Sequence, residues 1–161
     1  MIDLVVMNNI KKSFHYLFKD YEFEVVIEEK YESFGNWLVV LHSDRCCRIR
    51  IYEDRGEMFV SLGPTSSPPN LEDGSWFDLS VVMAFLLGRQ NQMEYELGKL
   101  DWSNLGKLDW QLERLSRGLH PHMNQICELF RLDVFEQRKE ALAQLAERMR
   151  AEFLKRFSGD K

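Results

Sequence analysis

The strongest constraint in this sequence is a change of period. Between Tyr21 and Leu62 the apolar residues stop recurring every three or four positions and begin to alternate, with turn signals between the runs. Phe23, Val25 and Ile27 alternate with Glu22, Glu24 and Val26, the pattern of a strand with one apolar and one largely acidic face. The same alternation assigns Glu22, Glu24 and Glu28 to one face. Phe34-Gly35-Asn36 marks a turn, and Trp37 to His42 is a continuous apolar run that suits a central strand covered on both sides. After the tight-turn signal Ser43-Asp44, the run from Cys46 to Tyr52 puts Cys47, Ile49 and Ile51 on one face. Its other face carries Cys46, Arg48, Arg50 and Tyr52. Asp54-Arg55-Gly56 fits a hairpin loop whose glycine supplies a left-handed position. Met58, Val60 and Leu62 then alternate with Glu57, Phe59 and Ser61. These runs predict a four-strand antiparallel meander.

Helical spacing flanks this stretch. Leu4, Met7, Ile10, Phe14, Leu17 and Phe18 step by three and four, which predicts an amphipathic helix over 2–19. Residues 63–73, GPTSSPPNLED, hold three of the four prolines and read as a long loop. Ser75 to Asp78 resembles a capping box that opens a helix running to Gly88. Leu105, Leu108, Leu112, Leu115 and Leu119 form a helical stripe, and Pro121 predicts a break near His120. Asp133 and Glu136 are the capping signal for a last helix striped by Phe135, Leu142, Leu145, Met149 and Phe153. The hexapeptide LGKLDW occurs at 97–102 and again at 105–110. Its simplest account is a small tandem duplication in a surface connection, and a two-tryptophan recognition patch is the alternative. The fold class is therefore α+β: an N-terminal helix, the meander, a helix and a C-terminal helical hairpin. Residues 1–88 form the sheet domain and 89–104 connect it to a helical region, 105–161, that packs on it as one unit.

Bulk properties narrow the function classes. With 161 residues, 45% of them hydrophobic, the chain is long enough to bury a core without a metal or a disulfide. Three cysteines, two of them adjacent, suggest a reducing compartment. There is no secretory signal pattern and no apolar run near the length of a membrane span, so a cytoplasmic protein with no membrane partner is expected. Residues 1–88 hold 8 basic and 14 acidic side chains, a net of −6, and the remainder carries +1. An acidic half argues against direct contact with nucleic acid. The basic residues of the last helix alternate with glutamates, as on a solvated, salt-bridged face.

No motif for metal, phosphate or nucleophile chemistry is complete. His120-Pro121-His122 is the one close histidine pair and lacks a third ligand, so neither a metal site nor a cofactor is expected. Cys46 shares its expected face with Arg48 and Arg50, which could lower its pKa, and His42 is the nearest candidate base. Glu24 and Glu28 could supply paired carboxylates, although acids on one exposed strand face more simply form a solvated surface. What remains is the outer sheet face, Glu24, Glu28, Arg48, Arg50, Tyr52 and Phe59, whose arginines and aromatics suit a protein-binding patch. The other reading of this face is that helices cover it.

The segments FHYLFKDYEFEVV at 14–26, NWLVVLHSDRCCRIRIYEDRGEMFVSL at 36–62 and WFDLSVVMAFLLG at 76–88 carry a likeness. In their order the chain resembles the small α+β immunity proteins of bacterial polymorphic toxin systems. The resemblance implies an inhibitor that binds another protein and transfers no binding residues. The expectation is thus a non-catalytic protein-binding module with no catalytic residue, its acidic half meeting a basic partner such as a toxin. Two alternatives stand beside it. One is a small hydrolase or transferase using Cys46, or Glu24 and Glu28, with Arg48 and Arg50. The other is a homodimer through the C-terminal helices.

Overall fold

A computed structural model describes residues 2–31, 36–69, 71–88 and 107–158. The expected connecting segment 89–104, Leu105, the first LGKLDW copy and the Phe34-Gly35 turn lie outside these residues. The architecture is α+β. Helix α1 (Leu4–Ser13) is capped by Asp3, whose Oδ1 accepts the Val5 N–H at 2.8 Å. The single helix expected over 2–19 divides at Phe14, and α2 (His15–Asp20) follows. Phe14 leaves helical geometry (φ −107°, ψ 28°) while its side chain is fully buried. The division lets both short helices bury apolar residues against one core.

Strands β1 (Glu24–Lys30), β2 (Trp37–His42), β3 (Arg48–Asp54) and β4 (Glu57–Gly63) form the meander, and a short β5 (Phe77–Asp78) pairs with β4. The spatial order among the described residues is β1-β2-β3-β4-β5, antiparallel throughout. The β3–β4 turn has two central residues, Arg55 and Gly56, both with positive φ (54° and 86°). That is the primed geometry matching strand twist. Asn36 Oδ1 accepts the Arg55 N–H at 3.1 Å, which helps to hold arginine in this unfavourable conformation.

Three expectations for the sheet are corrected. The register slips between Val25 and Ile27, so that Glu24 faces His42 while Glu28 faces Val39. A bulge adds one residue to the period and sends the residues after it to the opposite face. Glu24 and Glu28 therefore lie on different faces, and Ile27 joins Leu38, Val40 and Trp76 on the outer one. Strand β3 starts at Arg48, because residues 43–47 form the preceding turn, closed by Cys46 N–H to Ser43 O at 3.1 Å. Cys46 consequently does not share a strand face with Arg48 and Arg50. Finally, Ser75 to Asp78 is no capping box: Phe77–Asp78 is strand, and α3 (Leu79–Leu87) starts after it with no side-chain cap. Gly88 ends α3 in the left-handed region at φ 69°.

Helix α4 (Leu108–Leu119) carries the leucine stripe, with Leu112, Leu115 and Leu119 buried. The break at Pro121 takes the form of a 3₁₀ turn, His120–His122, before α5 (Met123–Leu129). Helix α6 spans Leu132–Phe157; Asp133 lies inside its first turn, and the capping position is Arg131. Val39, Leu41, Ile49, Ile51, Val60 and Leu62 from the sheet share one buried cluster with Ile10, Leu17, Met83, Leu112, Met123 and Leu142 from the helices. Gln111 joins α4 to the hairpin. Its Oε1 accepts the Met58 N–H at 2.9 Å and its Nε2 donates to Gly56 O at 2.8 Å. No helix among the described residues is long and apolar enough to cross a membrane.

Cys46 and Cys127 form a disulfide across 81 residues of sequence, which corrects the expectation of reduced cysteines. A sparse cysteine count gave no sign of it, because the partners meet only when α5 packs beside the β2–β3 turn. In the chain-entropy account, closing a loop of this length is worth roughly 4 kcal/mol.

Candidate functional site

Arg50 organises the outer face of the sheet. It projects from β3 beneath the proline loop and is only 6% exposed. Its Nε donates to Pro69 O at 3.0 Å and its Nη2 to Leu71 O at 2.6 Å. Nη1 pairs with the Glu72 carboxylate, and the guanidinium lies over the Trp76 ring. Trp76 in turn donates Nε1–H to Pro68 O at 2.9 Å. A fork of fixed donors is suited to gathering several carbonyls in this way. Residues 64–69 and 71–76 join no ladder, and the carbonyls of Ser67, Pro68, Pro69 and Leu71 are taken up by the side chains of Arg48, Arg50 and Trp76. This loop covers the face where helices were the alternative expectation.

Arg48 is similarly engaged. Its Nε–H donates to His42 Nδ1 at 3.0 Å, and Nη1 donates to Ser67 O. Because His42 Nδ1 accepts, its proton sits on Nε2, which reaches Asp44 Oδ1 at 2.7 Å. Neither arginine of the expected patch is thus presented to a partner or substrate. Tyr52 and Phe59 do come together, stacked at 5.3 Å and 22°.

The constellation for the enzyme alternative is dispersed. Cys46 is 4% exposed and bonded to Cys127, so it holds no nucleophilic thiolate in this state. Cys47 is fully buried, and burial pushes its thiol well above the ordinary range. Glu24 and Glu28 are on opposite faces of the bulged strand. Among the described residues no group of three or more histidine, cysteine or acidic side chains is placed to hold a metal.

A groove of about 660 Å³ runs between the outer edge of the sheet and α6. Tyr52, Ser61, Glu72 and Asp78 line one wall, and Glu147, Met149, Arg150 and Phe153 line the other. Trp76 and Phe77 also contribute to its lining. Asp78 is open to solvent yet enclosed by protein on several sides, which raises its carboxyl above the ordinary range. The Ser61 hydroxyl donates to Asp78 Oδ1 at 3.3 Å and opposes that shift. Burial likewise raises the Tyr52 phenol. Phe153, one residue of the expected core stripe, is instead 58% exposed at the groove mouth. The stripe stays on the core through Met149, which is partly buried against it, and leaves it by Phe153, near the end of the 26-residue α6.

Of the sequence-derived patch, then, Tyr52 lines this groove, Phe59 stacks behind it, and Arg50 fixes the loop that carries Glu72. Glu72, Asp78 and Glu147 were missed. They are far apart in sequence, and no local pattern links a loop, a two-residue strand and a helix.

No protein-family model matches the chain, no curated protein matches it, and no solved structure matches it.

Proposed function

We propose that this chain is a non-catalytic protein-binding module that receives a basic segment of another protein in the groove between the sheet edge and α6. The observation that carries the reading is the juxtaposition of Glu72, Asp78 and Glu147 with Trp76, Met149 and Phe153 in one open cleft. With Glu72 already paired to Arg50, the carboxylates of Asp78 and Glu147 still outnumber the single guanidinium of Arg150 there, and the aromatic and thioether surface offers the apolar contact that dominates interface energetics. The net charge of −6 over residues 1–88 favours rapid association with a basic partner and makes it salt-sensitive. The resemblance to immunity proteins supplies the concrete form, an inhibitor of a basic toxin.

The test is retention of partner from the native host at low and high salt, by the wild type and by an Asp78→Lys/Phe153→Asp variant with unchanged circular dichroism. The expected result is a protein retained at low salt, weakened at high salt and lost with the variant. Retention of nothing, or equal retention by the variant, ends this reading. Exposure of Phe153 and Leu154, at 58% and 56%, favours self-association through α6 as a second reading, which light scattering decides. A cytoplasmic location, the expectation from composition, is compatible with the Cys46–Cys127 bond only if that bond opens and closes in use.

A further inference from the structure

A second cleft, of about 790 Å³, opens beside the disulfide. Both Cys46 and Cys127 line it, together with Asp20, Asp44, Arg45 and Arg131. The two sulfurs are unequal. Cys46 is buried in the turn before β3, whereas Cys127 on α5 is only partly covered. A third sulfur is close: the Cys47 Sγ is 3.7 Å from the Cys46 Sγ. Its thiol is fully buried and held protonated by that burial, so it does not compete as an internal nucleophile. Around the cleft the carboxylates of Asp20, Asp44, Glu128 and Asp133 outnumber the guanidiniums of Arg45 and Arg131. Both arginines are already paired, Arg45 with Glu22 at 3.3 Å and Arg131 with Asp133 at 2.7 Å.

We propose that Cys46–Cys127 is an exchangeable disulfide, opened through the Cys127 sulfur by an external dithiol of neutral or positive charge, and that its state sets how firmly α5 and α6 are held to the sheet. In the first step a thiolate of the dithiol attacks Cys127 Sγ and forms a mixed disulfide. The bond to Cys46 breaks, its electron pair stays on Cys46 Sγ, and that sulfur takes a proton from water. The dithiol's second thiolate then attacks its own sulfur in the mixed disulfide, and Cys127 leaves as a thiolate that is protonated in turn. The protein disulfide is reduced by two electrons and the dithiol becomes a cyclic disulfide. Negative charge around the cleft disfavours anionic thiols such as glutathione. Once the bond is open, α5 keeps its buried Met123, Ile126 and Leu129 and the hydrogen bond from Tyr21 Oη to Asn124 Oδ1 at 2.9 Å. Opening therefore loosens the helical region without unfolding the chain.

The test uses the full chain. Alkylation in denaturant followed by mass spectrometry is expected to count one thiol before reduction and three after dithiothreitol treatment of the native protein. The reduction rate should rise in proportion to dithiothreitol concentration. Cysteamine, a basic monothiol, should trap an adduct at Cys127 faster than glutathione at equal thiolate concentration. Hydrogen exchange over 123–145 should accelerate roughly tenfold on reduction, with 37–42 and 48–54 unchanged. Cys47→Ala should lower the thiol counts to zero before and two after reduction and leave the rates, the adduct site and the exchange pattern unchanged, and Cys127→Ser should copy the reduced exchange pattern. Should Cys127→Ser fail to fold, the reduced wild type supplies the same comparison. Three thiols before any reductant, a rate independent of dithiothreitol, an adduct at Cys46, faster trapping by glutathione, or unchanged exchange in the helices would each overturn the proposal.

Discussion

The guanidinium carbon of Arg50 lies 3.9 Å from the centre of the Trp76 ring, a strand residue stacked on one that follows it by a proline-rich loop. The same guanidinium bonds to Pro69 O, Leu71 O and the Glu72 carboxylate. A charge buried this deeply is stable only while those partners are present, and Arg50 supplies more of the loop's side-chain bonds than Arg48 or Trp76 does. Arg50→Ala should destabilise the protein by about 3 kcal/mol and expose 64–75 to proteolysis, since it strands several acceptors at once. Arg50→Lys should recover little of this, because an ammonium cannot reproduce the fork. Urea denaturation and limited proteolysis measure both effects.

Gly63 reports on the same loop from beneath. A Cβ placed there would lie 2.7 Å from Ser67 Oγ and 3.0 Å from the backbone oxygen of Ser75. The hydroxyl can rotate away but the carbonyl cannot. Gly63→Ala should cost roughly 1–3 kcal/mol, typical of overpacking, and should disturb the surroundings of the buried Trp76 ring less than Arg50→Ala does. Near-ultraviolet circular dichroism distinguishes the two variants.

Gln111 satisfies the N–H of Met58 and the carbonyl of Gly56 from a position only 2% exposed. Gln111→Met keeps the volume and leaves both backbone groups without a partner, so a loss of about 2 kcal/mol is expected. Gln111→Glu should retain the bond from Met58 and lose the one to Gly56. The midpoint of urea unfolding orders these variants.

Alkali should destabilise the fold. Burial raises the Cys47 thiol above its ordinary 9.0, and burial followed by the opposing Ser116 hydrogen bond gives a net rise of Tyr16 above 10.0. In each case the folded state holds its proton more tightly than the unfolded state. The stabilisation is fully present below the unfolded value and is lost as pH rises past it. Stability should therefore fall above about pH 9, by up to about 1.4 kcal/mol per pH unit for each such group. Denaturation at about pH 8 and about pH 10.5 tests this, and Cys47→Ala should flatten the earlier part of the decline.

The strands were legible because alternation is a local property: Ile49 and Ile51 face the core whatever lies elsewhere in the chain. The bulge at Val26 was not, since Val25-Val26-Ile27 is apolar throughout and contains no glycine or proline to mark the slip. One inserted residue moved Glu28 away from Glu24 and dissolved the carboxylate pair. The leucine stripe of α4 and the break at Pro121 were equally local and equally visible. The cover over the outer face was not, because the sequence of 63–73 has no period of its own and its Pro69 and Leu71 carbonyls are held by a guanidinium in another strand. The groove was the least legible feature. Asp78 and Glu147 line one groove only because α6 packs beside the sheet edge.

The Cys46–Cys127 bond has one more consequence. Everything from residue 47 to residue 126 lies within a closed covalent circuit, including the connection between α3 and α4. A single peptide-bond cut inside that circuit yields no separate fragments while the bond persists, so the nicked and intact forms have nearly the same mass. A protease site installed just after Gly88 would yield two separable parts in denaturant only when reductant is also present.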